Sequence, residues 1–180
     1  MLEYQNQNCE LTLKEGVSIY HSSFPDGKEI YKDKSEKKIW RYHDATHVIF
    51  GMNISLEEEA ILDTWAIWGT DFTLIQALSY YKLPELKILQ NKLLSELKIS
   101  GFFKLYKNVF KTKLKVIKKV WYMKKKWPYE FPDCYYDRTI SDLRNEYGIK
   151  ILTMDEKIFD SLNWSGSIKV SRFFVFFILF

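Results

Sequence analysis

Cysteine is scarce in this chain of 180 residues: Cys9 and Cys134 are the only two, and they form no Cys-x-x-Cys pair. That excludes a disulfide framework and makes a reducing compartment the natural setting. The polar stretch Met1 to Cys9 carries no signal-peptide pattern. Internal repeats, linkers and low-complexity tracts are also missing. The C-terminal run Phe173 to Phe180 is apolar throughout but only eight residues long. A bilayer-spanning helix takes about 20 residues, so the run is read as a plug, a membrane-dipping end or, preferably, a dispensable ending. Acidic residues are absent between Gly101 and Lys126, where ten lysines stand.

What is present suits one compact all-α domain. At 47% hydrophobic the chain can build a single core. The expected unit covers residues 1–150, with 1–35 irregular or weakly ordered around a turn at Pro25-Asp26-Gly27 and 151–180 an unassigned tail. A helix through His43 ends at Gly51. Ser55 followed by Glu58 has capping-box spacing and opens the next helix. Its stripe of Ile61, Trp65, Trp68, Phe72 and Ile75 predicts a helix from Leu56 to about Tyr81, stopped by Pro84. Leu86, Leu89, Leu93 and Leu97 mark a third helix closing near Gly101, 102–126 a fourth, and 139–147 a short one ending at Gly148.

The chemistry concentrates in His43-Asp44-Ala45-Thr46-His47, with Glu59 twelve positions further on. At ~100° per residue, positions 43 and 47 lie about 40° apart on a helix and 44 about 100° from 43. The histidines share their side with Trp40 and Phe50, the spacing of a buried face. Imidazoles aimed into an apolar interior need partners, and a metal would supply them. A His-x-x-x-His pair alone is often accidental; Asp44 and Glu59 in register strengthen it. The short connection makes the two helices antiparallel neighbours, and Glu59 falls near the end of the first. Two imidazoles and two carboxylates suit zinc foremost, with iron or manganese as alternatives.

The stretch His43 to Glu59 resembles the ubiquinone (coenzyme Q) biosynthesis protein four family. That family has His-Asp-x-x-His, a short apolar segment with Gly-Met or Gly-Tyr, and a Glu after eleven residues. His43, Asp44, His47 and Glu59 occupy the four positions, Gly51 and Met52 fit the segment, and Arg41 and Tyr42 resemble its approach. Leu143-Arg144-Asn145-Glu146-Tyr147-Gly148-Ile149 is similar to the family's closing element. The chain departs from the family at Gly69, where a glutamine is common, in a shorter segment before the motif, and in all that follows Ile149.

The resemblance implies a metal-dependent protein, cytoplasmic and peripheral on the inner face of the membrane. It would remove the ring carboxylate of a polyprenylated hydroxybenzoate-type precursor, with oxidation at the same carbon also associated with the family. Other quinone-biosynthesis enzymes would be its partners, and a homodimer is compatible with it. A non-catalytic scaffold that binds isoprenoid lipid is the alternative. An HD-type metal phosphohydrolase is a third reading, using His21 upstream and Asp63, Asp71, Asp133, Asp137 or Asp142 downstream. No catalytic residue can be assigned: Asp71, Tyr80 and Glu130 are available bases, but no spacing ties them to the motif. The lysines of the fourth helix alternate with Tyr106, Phe110, Leu114, Ile117 and Trp121, an apolar face suited to an anionic membrane surface. Nucleic acid is disfavoured by a net charge of only +4 and the lack of a binding motif. The supply of aromatics (six Trp, twelve Tyr, thirteen Phe) can line a pocket for the isoprenoid tail.

Overall fold

Thr12 opens the first helix, α1 (Leu13–Ser22), with a reciprocal cap: its hydroxyl accepts from the Glu15 N–H, and the Glu15 carboxylate accepts from the Thr12 N–H. The computed structural model describes residues 1–23, 34–73, 75, 76, 84–157 and 159, with the backbone alone at 34–39, 84–97 and 99. Four further full-length helices follow among the described residues: α2 (Lys34–Phe50), α3 (Leu56–Gly69), α4 (Pro84–Trp121) and α5 (Ile140–Tyr147). Short 3-10 turns lie at Glu3–Gln5, Asp133–Asp137 and Met154–Glu156. Extended pairing among the described residues is limited to isolated bridges, Thr12 with Thr139 and Thr70 with Trp127. The fold is all-α, as expected.

The N-terminal segment corrects one expectation. Residues 1–23 are not irregular. Tyr4 is buried with its hydroxyl donating to the Met52 carbonyl, and α1 buries Leu13, Gly16 and Tyr20, spaced three and four apart. Gly16 weakens the helical signal by about 1 kcal/mol relative to alanine, which hides α1 in the sequence. Its use is a close approach: a Cβ there would lie 2.6 Å from Val48 of α2 and 2.7 Å from Ile140 of α5. The turn at Pro25-Asp26-Gly27 lies outside the described residues.

Helix α2 ends as expected. Gly51, at φ +68°, donates to the Val48 carbonyl while Met52 donates to that of His47, the paired bonds of a glycine-terminated helix. Ser55 caps α3 by accepting from the Glu58 N–H, but the Glu58 carboxylate turns to the Asn53 N–H and to Lys157. The expected run of α3 to Tyr81 is overturned: it stops at Gly69. The Gly69 carbonyl accepts from Trp127, the Trp127 carbonyl from Asp71, and the Thr70 hydroxyl donates back to Ala66, so the backbone leaves the helix to pair with another segment. Ile61 and Trp65 are buried, whereas Trp68 and Ile75 are exposed.

Helix α4 is interrupted at Lys98 (φ 54°) rather than at Gly101, and ends at Trp121 rather than 126. It packs against α3, and its buried face is Phe102, Leu105, Val109, Thr112 and Val116. The face anticipated from Tyr106 to Trp121 is a second stripe: Phe110, Leu114 and Trp121 point outward. Past residue 150 the described chain continues into the core. Ile151 and Leu152 are in the core, Ile151 against Gly51, and Lys157 reaches the Gly51 carbonyl. The apolar run Phe173 to Phe180 lies outside the described residues.

Arg144 of α5 is wholly buried and has no carboxylate partner among the described residues; its guanidinium donates to backbone carbonyls of Val48 and Ile49, in the last turn of α2, and of Tyr4, Asn6 and Gln7. Burial pushes it down to about 10, so it remains charged at neutral pH. Arg144→Met takes the donor from the buried carbonyls of Tyr4 and Ile49, at about 1–3 kcal/mol for each that water cannot reach. We expect it to lower the melting temperature by at least about 6 °C, at 2–4 °C per kcal/mol for a chain of this size. Arg144→Lys should recover little, since one ammonium cannot reproduce the planar fork. Thermal denaturation followed by circular dichroism tests both.

Candidate metal centre

Helices α2 and α3 bring His43, His47 and Glu59 together. The two histidines are one turn apart on α2, and Glu59 stands in the first turn of α3. All three are buried, and their donor atoms lie within 4.8 Å of one another. His47 Nε2 is 3.1 Å from Glu59 Oε1, and His43 Nε2 is 3.8 Å from Glu59 Oε2. The rings are held by aromatic neighbours: Tyr20 stacks on His47 at 4.7 Å, and Trp40 meets His43 edge-on at 6.0 Å.

The hydrogen bonding shows what this group fits. Both ring nitrogens of His47 and Oε1 of Glu59 have no hydrogen-bond partner among the described residues, although His47 Nε2 and Glu59 Oε1 are close. Leaving such groups buried and unmet costs about 1–3 kcal/mol each. A divalent cation among the three side chains would satisfy the atoms that converge. Two imidazoles and a carboxylate are a donor set found in catalytic zinc sites, which keep a fourth position for water or substrate. The donors fit a metal; they do not distinguish zinc from iron or manganese.

Asp44 is not in the group. Lying about 100° round the helix from His43, it turns toward α1, where its Oδ2 is 2.7 Å from His21 Nε2. Its Oδ1 lies 3.4 Å from His43 Nδ1. The expected set of four ligands thus becomes three convergent residues with a carboxylate behind one of them. Among the downstream aspartates of the phosphohydrolase reading, Asp71, Asp133, Asp137 and Asp142 are exposed. Asp71 accepts from the Tyr129 N–H, and Glu130 from the Gln76 amide, so neither available base is at the site. Tyr80 lies outside the described residues.

Asp63, in the sequence only one of several alternative metal ligands, is buried one turn beyond Glu59, its Oδ2 without a hydrogen-bond partner among the described residues. Burial pushes its carboxyl well above the usual range, with the pull of Lys113 opposing and the Glu59 charge adding. Lys113 is pushed down by burial, with Asp63 opposing. The i, i+4 spacing from Glu59 is the signal that could have found Asp63.

Burial works against the charged form of His43, but the carboxylates of Asp44 and Glu59 override it and push His43 up to about 9. Burial likewise opposes the charged form of Glu59, and His47 and His43 more than offset it, holding Glu59 below its ordinary value. The signs follow. The raised His43 contributes stability that is fully present below its ordinary 6.5 and lost as pH rises through about 9. The lowered Glu59 contributes stability present above its ordinary 4.5 and lost as pH falls through its depressed value. Metal-free protein should therefore melt progressively lower between pH 6.5 and 9, whereas its zinc affinity should rise over the same interval as the His43 proton ceases to compete. Melting curves and chelator competition across that range test the pair of trends. Compared with family models, curated proteins and solved structures, the chain finds no match in any of the three.

Proposed function

We propose that this protein is a metal-dependent carboxy-lyase of ubiquinone biosynthesis, acting on a polyprenylated hydroxybenzoate-type precursor at a membrane surface. The observation that carries the reading is the convergence of His43, His47 and Glu59 in a buried group with no fourth His, Cys, Asp or Glu joining it among the described residues. Together with the resemblance of the segment from His43 to Glu59 and of the closing element around Arg144, it supports a three-donor centre, which would leave a coordination position for a substrate oxygen. The metal, when bound, would supply Lewis-acid stabilisation of the charge that develops as the ring carboxylate leaves. His43, His47 and Glu59 would hold it, while Tyr20 and Trp40 shield the histidines from water. Asp63, kept toward its neutral form, is an acid from which the ring carbon could regain a proton once carbon dioxide has gone.

The outer face of α4 supports the surface location. Phe103, Phe110, Leu114 and Trp121 form an exposed stripe. Exposed Lys104, Lys107, Lys111 and Lys118 lie on one flank of it, about 40–100° further round the helix. No described helix is long and apolar enough to cross a membrane. The stripe would equally serve a scaffold that presents isoprenoid lipid to other quinone-biosynthesis enzymes, a role that would leave the metal's open position without use.

Elemental analysis should find one zinc, iron or manganese per chain, lost in His43→Ala and in Glu59→Ala. The loaded wild type should release carbon dioxide from a prenylated hydroxybenzoate, as followed by mass spectrometry. Metal bound in full with no turnover on any such acid would favour the scaffold; no metal under any loading condition would end the carboxy-lyase reading. Cosedimentation with phosphatidylserine vesicles should weaken by about fivefold or more for each of Lys107→Glu and Lys111→Glu, at ~1 kcal/mol per charge near the surface. The binding should also fall with salt.

A further inference from the structure

We propose that His21 is a positioning residue of the metal centre, acting through Asp44 on His43; this rests on the metal reading above. The connection runs across three side chains on two helices. His21, in the last turn of α1, holds Asp44 Oδ2 at 2.7 Å, and Asp44 Oδ1 faces His43 Nδ1 at 3.4 Å. His43 presents its other nitrogen, Nε2, toward Glu59. A metal-binding imidazole commonly gives its second ring N–H to a carboxylate, which fixes the tautomer and the ring plane and raises its basicity. Here that carboxylate is the very next residue, so the helix alone does not determine where it points. His21 supplies a constraint by holding the far oxygen.

The backbone explains how α1 reaches so far. Gly16 lets α1 lie against Val48 of α2 with no room for a Cβ. From that approach Tyr20 stacks on His47, and the adjacent His21 meets Asp44. Consecutive residues of α1 thus support both histidines of the centre. Asp44 is fully buried, whereas the His21 side chain is 35% exposed, so His21 can be changed with little disturbance to the core.

Zinc affinity, measured by competition with a chromophoric chelator on the full chain, tests the proposal. His21→Leu removes the hydrogen bond and should weaken zinc about tenfold, the lower end for loss of such a supporting partner. His21→Gln keeps an N–H donor at a similar reach and should stay within about threefold of wild type. In an Asp44→Ala background, His21→Leu should cost nothing further, as expected of residues acting as one unit. Melting curves of the metal-free variants confirm that each is folded. Unchanged affinity in His21→Leu, equal losses in Leu and Gln, or a full further loss in the double variant would each overturn the role of His21 while leaving the metal centre standing. Wild-type protein that takes up no zinc overturns the metal reading and this role together.

Discussion

A single buried guanidinium holds the ends of this fold in register. Arg144 reaches from α5 to the last carbonyls of α2 and to the N-terminal segment, binding three stretches far apart in sequence. A lone charge in such a place is tolerable only because backbone oxygens surround it. The arginine ties down the end of α2, where Met52 donates to the carbonyl of His47 itself. The histidines of the candidate centre are therefore anchored by a residue about a hundred positions downstream.

The centre was legible because helical periodicity fixes it. Residues four apart share a side, and the Ser55 cap places Glu59 in the first turn of the next helix, so the convergence of His43, His47 and Glu59 follows from spacing. Asp44 marks the limit of what periodicity determines. The same periodicity puts it about 100° away, and only the position of α1, a tertiary fact, decides that it turns to His21. Helix α1 is hidden in the sequence because Gly16, unfavourable locally, is favourable only once Val48 and Ile140 press against it.

Helix ends and faces divide the same way. Gly51 and Gly148 terminate their helices by local conformation and could be read directly. The end of α3 depends on pairing with Trp127, more than fifty residues later, and no local pattern carries that. In α4 two apolar stripes share one helix, and sequence alone could not tell which α3 would cover. The covered one includes Thr112, a polar residue that disguises the pattern.

The depth of the metal centre has a kinetic consequence. His43, His47 and Glu59 have almost no contact with solvent, so an ion or a substrate would reach them only when the packing around them opens locally. The residence time of an ion would then be governed by the rate of that opening as well as by the strength of the metal–ligand bonds.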